Sequence, residues 1–382
     1  MMMKKRRRLL LMACMLSAGL FSGCRAAAQG YKDFPWKELP VRGLMLSVPQ
    51  RADVEALCRF IKEALPKEGV NTLALRIEWW YQFESHPELA ATGALSKAEM
   101  QQIALACKAA RIRLVPMMNL LGHQSEQTEL LPLLAKYPQF DESPDLNPPQ
   151  PWKYGNWYDF YHKSLCPAHP DLLKVIFPLM DELIEVCGAS DFHVGLDEAW
   201  IIGYEKCPRC GGRDKAEILA EYIRKLHARL QEKKCRMWMW SDRLIDGKIT
   251  NLLGWQASMN NTHRAIDRIP KDIMITDWKY ENAPPTPAYF AVKGFDVLAS
   301  ACADTASALA QLEQIYAARK DGTRAEFAQT LAGRMQGVLE TTWISTGEFI
   351  RAYYGRQPYS TGAAANIATF KNLFRVIRQT NR

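Results

Sequence analysis

Short apolar runs alternate with longer amphipathic runs along most of the chain. Eight apolar runs have the length of β-strands, at residues 43–48, 72–78, 113–118, 191–196, 236–240, 273–278, 297–301 and 335–341. Runs with helical periodicity lie between or after them, at residues 54–65, 97–110, 172–186, 216–233, 264–268, 287–293, 306–319 and 364–378. The pattern therefore predicts eight consecutive strand–helix units.

The character of these runs indicates how the units pack. The strands are nearly continuous in apolar residues, which is typical of a parallel sheet covered on both faces. The apolar residues of the fourth helix recur on one face, as expected for a helix that lies on a sheet: Leu219, Tyr222, Ile223, Leu226 and Leu230. Eight such units predict an α/β fold of the (β/α)8 TIM-barrel class. Because no linker or change in composition divides them, we expect residues 39–382 to form a single domain.

The first residues have the pattern of an export signal. Lys4–Arg8 are all basic, and the 13 residues of Leu9–Phe21 are apolar but too few to span a bilayer as a helix. This combination is typical of a signal peptide. We therefore expect residues 1–23 to be a signal and residues 24–38 to be a tether that leads to the barrel.

The end of the signal suggests a lipid anchor. Phe21-Ser22-Gly23-Cys24 resembles a bacterial lipoprotein box, in which the cysteine receives the lipid. We expect an exported protein, periplasmic or on the cell surface, whose membrane contact is the lipid on Cys24. Cleavage near the alanines at 26–28, which would release a secreted protein, is an alternative, and so is an uncleaved anchor.

Composition excludes several classes of protein. Apolar residues make up 48% of the chain and charged residues 24%, which excludes general disorder and a protein with many membrane spans. The formal net charge is +8, but five of these charges belong to Lys4–Arg8. With a nearly neutral mature chain and no long basic run, we expect no nucleic-acid partner.

One pair of cysteines stands out among ten. Cys207 and Cys210 form a Cys-x-x-Cys pair, but no second such pair supplies the two further ligands of a zinc site. In an oxidising compartment we expect a local disulfide or a structural turn there, with zinc and a redox role as alternatives. We expect no metal or cofactor in the functional site.

The strongest chemical signal follows the fourth predicted strand. That strand ends in Asp197-Glu198, and the active sites of barrels lie at the carboxyl ends of their strands. The pair and the residues before it resemble the His-x-Gly-x-Asp-Glu motif of family 20 glycoside hydrolases, the β-N-acetylhexosaminidases, since His193, Gly195, Asp197 and Glu198 match it in order and spacing. Weaker matches, among them Arg42-Gly43-Leu44-Met45-Leu46 and Gly122-His123, extend the resemblance over most of residues 40–345.

This resemblance implies a function and a mechanism. It implies a glycan substrate with a terminal β-linked N-acetylhexosamine, which the enzyme removes with retention of configuration. Glu198 would be the general acid and base, and Asp197 would orient the substrate's 2-acetamido group, whose oxygen attacks the anomeric carbon. Two other functions are considered beside it. One is a retaining glycosidase with Glu340 as nucleophile, and the other is a non-catalytic sugar-binding lipoprotein.

The substrate-binding residues are predicted from the same resemblance and from strand ends. We expect contacts with the sugar from Arg76, His123, His193, Trp240, Trp255, Trp278, Tyr280, Glu340 and Trp343. Several of them have an equally simple structural interpretation: His193 as a core histidine, the tryptophans as filling of the barrel mouth, and Glu340 as an ion-pair partner of Arg243.

The chain also departs from the family pattern. The arginine that grips the terminal sugar is absent after the first strand, unless Arg51 or Arg76 replaces it. No tyrosine follows the seventh strand, so the hydroxyl for the acetamido carbonyl would come from Tyr280 or Tyr289. A long segment at 137–166 is rich in aromatic residues and either lines an outer sugar subsite or is a loop fastened by its own side chains.

Overall fold

Eight parallel strands close into a barrel in the computed structural model, which describes residues 31–153 and 155–381. Labelled β1 to β8 in chain order, they are Val41–Ser47, Thr72–Arg76, Arg113–Met117, Asp191–His193, Arg236–Trp240, Met274–Trp278, Asp296–Ser300 and Met335–Glu340. Each strand pairs in parallel with the next, and β8 pairs with β1 to complete the circle. The predicted (β/α)8 barrel is confirmed.

Helices surround the barrel and connect its strands. The longer ones among the described residues are Val54–Glu63, Lys97–Ala109, Leu172–Cys187, Lys215–Glu232, Thr305–Asp321, Glu326–Arg334, Thr346–Tyr353 and Thr361–Thr380. The shorter ones are Leu65–Glu68, Pro132–Lys136, Trp157–Phe160, Gly247–Thr250, Leu253–Gln256 and Thr286–Val292. Within the part of the chain that the structure describes, no helix is long and apolar enough to cross a membrane.

Strand alternation divides the apolar side chains into two layers. Side chains that point inward form one buried cluster: Val41, Met45, Ala74, Val115, Met117, Trp238, Trp240, Met274, Trp278, Leu298 and Leu339. The alternate side chains point outward and pack against the helices in a much larger cluster. Large aromatic side chains, among them Trp240 and Trp278, lie at the carboxyl end of the inner layer. Side chains therefore fill the barrel interior up to the carboxyl ends of the strands.

The structure differs from the sequence prediction at particular elements. The fifth crossover contains the 3₁₀-helix Thr262–Asp267 where a short helix was expected. Two of the longer helices, Glu326–Arg334 and Thr346–Tyr353, were not predicted, and neither were four short ones: Pro132–Lys136, Trp157–Phe160, Gly247–Thr250 and Leu253–Gln256. β4 ends at His193, three residues before the predicted end, because Gly195 and Leu196 have positive φ angles of 69° and 72°.

The N-terminal boundary also differs. Residues 24–38 were predicted to form a tether, but within this range Trp36 packs edge-on against Tyr316 at 6.3 Å between ring centroids. Arg319 donates hydrogen bonds to the carbonyl oxygens of Pro35 and Trp36. The barrel domain therefore includes these residues. The predicted signal peptide and Cys24 lie outside the described residues.

Candidate active site

The two acidic residues leave the strand on an unusual turn. After β4, Gly195, Leu196 and Glu198 all have positive φ angles, which are rare for residues other than glycine. In a continued strand, Asp197 and Glu198 would point to opposite faces. The turn instead brings both carboxylates to the barrel mouth, where each side chain is only about a twelfth exposed. The local backbone therefore creates the acidic pair.

Close packing explains the two glycines of this region. A Cβ on Gly195 would lie 2.6 Å from the Cα of Asn119, and one on Gly122 would lie 2.4 Å from the carbonyl oxygen of Asp197. Either Cβ atom would push the segments that follow β3 and β4 apart. The segments that follow β3 and β4 can approach each other only because both positions lack a side chain.

Asn119 fixes the orientation of Asp197. Its Nδ2 donates to Asp197 Oδ1 at 2.5 Å, while its Oδ1 accepts from the backbone N–H groups of Leu196 and Leu121. Because the amide oxygen is occupied by two donors, the amide nitrogen must face the carboxylate. One oxygen of Asp197 is thereby held in place, and burial raises the pKa of this carboxyl group, opposed by His123 and supported by Asp242 and Glu198.

His123 lies between the two carboxylates. Its Nε2 is 2.8 Å from Glu198 Oε2 and 3.4 Å from Asp197 Oδ2, although neither approach has the geometry of a hydrogen bond. Burial lowers the pKa of His123, but Asp197, Glu198 and Glu78 together raise it to about 9. The ring stacks on Tyr161 at 3.9 Å between centroids. A partly buried imidazolium therefore balances part of the negative charge at neutral pH.

Asp242 connects the acidic pair to the aromatic wall. Its Oδ2 accepts from the backbone N–H of Glu198 at 3.0 Å and from Arg243 Nε at 2.6 Å. Its Oδ1 accepts from the indole N–H of Trp278 at 3.3 Å. The position of Glu198 and the position of the tryptophan are thus set by one buried carboxylate.

A cavity of about 450 Å³ opens above the acidic pair and is lined by most of the predicted residues. Both catalytic candidates, Asp197 and Glu198, lie on its surface together with Arg76, His123, Trp255, Trp278, Tyr280 and Trp343. Trp255, Trp278 and Tyr280 form one aromatic wall, with centroids 5.2–6.2 Å apart. The indole N–H of Trp343 donates to the Tyr280 hydroxyl at 3.0 Å.

Two predicted substrate contacts, His193 and Trp240, lie below the cavity. His193 is fully buried, and its two ring nitrogens bond to Thr276 Oγ1 and to the backbone N–H of Gly195. Desolvation lowers the pKa of His193 to about 3, so the ring is neutral. Trp240 packs against this ring at 4.4 Å between centroids. These two residues support the turn before the acidic pair, and neither reaches the space available to a sugar.

Glu340 points away from the barrel mouth. Leu339 belongs to the inner cluster, so the adjacent Glu340 faces the helix layer by strand alternation. Its carboxyl group is completely buried, both oxygens have no hydrogen-bond partner, and desolvation raises its pKa well above the usual range. The alternative interpretation, an ion pair with Arg243, is wrong, because Arg243 pairs with Asp242 and donates to the carbonyl oxygens of Gly254 and Ala257.

The sequence analysis did not single out Glu78, Asn119 or Asp242 as site residues. Each lies two residues beyond the end of its strand, β2, β3 or β5. The carboxylate of Glu78 accepts from the backbone N–H of Asn119 at 3.1–3.2 Å, and burial raises its pKa. The rule that sites lie at strand ends could have found all three residues, but only if strand ends were known to within a residue.

The aromatic segment is fastened by its own side chains and also lines the cavity. Trp152, Trp157 and Phe160 pack on one another with centroids 4.9–5.8 Å apart, so the segment is fastened by its own rings. Trp157 and Tyr161 also line the cavity. A second cavity of about 790 Å³ adjoins it and shares Trp157 and Trp255. Tyr154 lies outside the described residues.

His123, Asp197 and Glu198 bring three possible metal ligands together. Burial lowers the pKa of His123, but Asp197, Glu198 and Glu78 raise it to about 9, so a metal ion bound here would have to displace a proton from this ring.

Comparison with known proteins agrees with this geometry. The model of glycosyl hydrolase family 20, catalytic domain, matches residues 68–347. A β-hexosaminidase of Akkermansia muciniphila is 29% identical over 120 residues, which are 31% of this chain and 22% of that protein.

Solved structures share the fold at low sequence identity. The chitobiase of Flavobacterium johnsoniae superposes with a TM-score of 0.57 and 16% identity, over 89% of this chain and 51% of the other. An exo-β-N-acetylglucosaminidase of Vibrio harveyi, bound to N-acetylglucosamine, gives a TM-score of 0.56 and 15% identity, over 90% and 59%. The chain thus spans little more than half the length of these structures.

Proposed function

Because the chain belongs to glycoside hydrolase family 20, we propose that it removes a terminal β-linked N-acetylhexosamine, GlcNAc or GalNAc, from a glycan. The observation that carries the proposal is the cavity in which Asp197 and Glu198 lie beside His123 and face the aromatic wall. The pocket is concave, largely aromatic and furnished with a few converging charged groups, as sugar-hydrolysing sites require.

The proposed reaction retains configuration and uses the substrate's own acetamide as nucleophile. Glu198 donates a proton to the leaving oxygen, and the acetamido oxygen closes on the anomeric carbon. Asp197 accepts a hydrogen bond from the acetamido N–H and stabilises the positive charge that develops on the acetamido nitrogen. Asn119 supports this role because it binds the other end of the same carboxylate and prevents its rotation.

His123 stabilises the negative charge that forms on Glu198 during the reaction. When Glu198 has given its proton to the leaving group, its new negative charge lies 2.8 Å from the imidazolium. Asp197 and Glu78 also raise the pKa of His123, so they favour the imidazolium while Glu198 still carries its proton, and little reorganisation is then needed. The same carboxylate then accepts a proton from the water that opens the cyclic intermediate.

Tyr280 is the proposed donor to the acetamido carbonyl. Its hydroxyl oxygen accepts from Trp343, so its own proton can be directed into the cavity. Tyr289, the other candidate, does not line this cavity. The aromatic wall of Trp255 and Trp278 would pack against the acetamido methyl group and the sugar ring.

Arg76 is the proposed substitute for the absent family arginine. It lies on the cavity wall, where it donates to Ser47 Oγ at 3.1 Å and covers the ring of Trp343 at 5.0 Å. Arg51 is half exposed and pairs with Glu99 outside this cavity. Arg76 is therefore the better placed group for the sugar hydroxyls.

The position of Glu340 weighs against an enzyme nucleophile. A retaining glycosidase needs its two carboxyl groups about 5–5.5 Å apart across the sugar. Glu340 faces the helix layer and does not line the cavity that contains Glu198. The acetamide of the substrate is the remaining nucleophile in the proposal.

A panel of aryl β-glycosides that differ only at C2 and C4 tests the function. We expect turnover of the 2-acetamido sugars and almost none of the 2-hydroxy sugars, because only the former carry the nucleophile. The C4 epimers then separate GlcNAc from GalNAc. Equal turnover of 2-acetamido and 2-hydroxy substrates would contradict the acetamide mechanism, and binding without turnover would favour the sugar-binding alternative.

We also propose that the protein is exported and held at a bacterial membrane by a lipid on Cys24. The support is the sequence pattern of residues 1–24. Mass spectrometry of the mature N-terminal peptide should show a diacylglycerol-modified Cys24, and Cys24→Ala should abolish the modification. An unmodified mature protein that begins after Cys24 would show a secreted enzyme.

A further inference from the structure

Three cysteines and a glutamate converge away from the active site. The structure brings Cys207 and Cys210 together with Cys166 and Glu142, and their possible ligand atoms all lie within 4.8 Å of one another. At least 90% of each residue is buried, and the three cysteines are free thiols. We propose that these four side chains form a structural zinc site.

The sulfur positions fit a tetrahedral zinc ion. Cys166 Sγ lies 3.6 Å from the Sγ atoms of both Cys207 and Cys210. Ligands at about 2.3 Å from a tetrahedral zinc would place two sulfur atoms about 3.8 Å apart. A disulfide needs about 2.05 Å, and it would leave the third thiol beside a buried carboxylate.

The carboxylate supplies a separate indication of a bound cation. Glu142 Oε1 accepts from the backbone N–H of Tyr204 at 2.9 Å, whereas Oε2 is buried with no hydrogen-bond partner. A buried carboxylate oxygen without a partner costs free energy, and a bound cation would remove that cost. A zinc ion bound by three thiolates has one coordination position left, and the glutamate is placed to fill it.

The backbone around the Cys-x-x-Cys pair is shaped to bind thiolates. The backbone N–H groups of Arg209 and Cys210 are directed at the sulfur of Cys207. The N–H of Gly211 bonds to the carbonyl oxygen of Cys207 at 2.8 Å, and a Cβ on Gly211 would lie 2.3 Å from the carbonyl oxygen of Glu205. The chain therefore curls tightly around the sulfur of Cys207, and hydrogen bonds of this kind support the ligands of many metal sites.

The ligands come from two segments that border the active site. An antiparallel bridge between Asp141 and Leu165 brings the two parts of the segment between β3 and β4 that carry Glu142 and Cys166 close together. Cys207 and Cys210 lie in the segment that follows Asp197 and Glu198. Residues 156–158 and 200–206 of the same two segments line the 790 Å³ cavity. With four protein ligands the ion would be structural, and it would fix the spacing of these cavity walls.

Metal analysis of the untagged, full-length mature protein tests the site. After exhaustive desalting we expect about one zinc per chain in the wild type. Cys166→Ser and Glu142→Gln should lower zinc affinity by at least about 10–100-fold, the usual loss when only a supporting contact is removed. Cys235→Ser is the matched control, because Cys235 is equally buried but lies elsewhere, and this variant should keep its zinc.

Stability gives a second measurement. A strong chelator should lower the Tm of the wild type and of Cys235→Ser, because zinc binds only the folded protein, and it should leave Cys166→Ser unchanged. Zinc retention by Cys166→Ser equal to that of the wild type would overturn the proposal.

X-ray absorption of the zinc-loaded wild type decides the question if the variants do not fold. We expect about three sulfur neighbours at about 2.3 Å and one oxygen at about 2.0–2.2 Å. A shell of nitrogen and oxygen only would assign the zinc to another place and overturn the site. Peptide mapping without reduction that finds a disulfide among these cysteines, in a protein that contains no zinc, would do the same.

Discussion

The side-chain amide of Asn119 donates to the carboxylate of Asp197 over 2.5 Å while its oxygen is occupied by two backbone N–H groups. Asn119 follows β3 and Asp197 follows β4, so the contact joins two neighbouring strand ends. The contact fixes the rotation of the Asp197 carboxylate, which must point at the acetamido N–H of the substrate to act as proposed. Asn119 is therefore a positioning residue.

Two substitutions of Asn119 separate this role from simple packing. Asn119→Ala removes one hydrogen bond to Asp197 and leaves buried N–H groups without an acceptor, so we expect a stability loss of about 1–3 kcal/mol and a lower kcat. Asn119→Asp keeps the size and both accepted bonds, but it places a third carboxylate beside Asp197. It should raise the pKa of Asp197 further and move the acidic limb of the pH–rate profile to higher pH. An unchanged profile in Asn119→Asp would show that the contact does not tune Asp197.

Glu198→Gln should remove most turnover of substrates with poor leaving groups. The change retains shape and hydrogen bonding but removes the transferable proton, and general acid catalysis contributes about 10²–10⁴-fold. Aryl glycosides with very good leaving groups should be affected much less, since they need little protonation. Glu129→Gln is the control and should behave as wild type, because Glu129 is exposed, pairs with the cavity-lining Glu126 and does not itself line the cavity. Near-normal rates of Glu198→Gln on natural glycans would contradict the assignment.

The raised pKa of His123 predicts how the free energy of unfolding depends on pH. The pKa of His123 is about 9 in the folded protein and about 6.5 in the unfolded chain. The stabilisation that results from this difference is therefore fully present below pH 6.5. That contribution is lost as the pH rises towards 9, with a size of about 3 kcal/mol at most.

His123→Asn is the matched variant, because asparagine tolerates the positive φ of 54° at this position. Its free energy of unfolding should vary less between pH 6.5 and 9 than that of the wild type. Nitrogen NMR of the histidine rings would measure the titration directly. A His123 midpoint near 6.5 would show that the carboxylates do not hold the imidazolium as described.

Periodicity sufficed for the barrel because eight buried strands and their helices repeat one pattern. The site was harder to predict, since it depends on departures from that pattern. Asp197 and Glu198 were found by their motif, but the positive φ angles that bring them together are not visible in a strand-like sequence. Glu340 was misplaced because strand register decides which face a residue occupies, and one residue of register reverses the answer.

The sequence also did not predict contacts between distant segments. The Cys207–Cys210 pair was conspicuous, but Cys166 and Glu142 join it only because an irregular bridge folds the segment between β3 and β4 back on itself. Neither the spacing nor the composition of that segment predicts such a bridge. Ligands that converge from separate loops require the tertiary structure.

The aromatic segment offers a matched pair of variants. Trp157 lines both cavities, whereas Trp152 packs in the same aromatic cluster without lining either one. If the larger cavity is an outer subsite, Trp157→Ala should raise KM for oligosaccharides about tenfold, the loss expected for about 1.4 kcal/mol of stacking, and affect a small aryl glycoside less. Trp152→Ala should lower stability without this selectivity. Equal losses on short and long substrates in Trp157→Ala would indicate general destabilisation.

Asp197→Asn tests the mechanism most directly. If the 2-acetamide is the nucleophile, a neutral amide at position 197 cannot stabilise the positive charge that develops on the acetamido nitrogen, so the chemical step should slow by at least about 10²-fold. Binding of the product sugar should change much less, because the charge appears only on the way to the transition state. A thiazoline mimic of the cyclic intermediate should bind the wild type far more tightly than the product sugar does, and most of that advantage should vanish in Asp197→Asn. Weak thiazoline binding by the wild type, together with a sugar trapped covalently on a carboxylate by a 2-fluoro substrate, would establish an enzyme nucleophile instead.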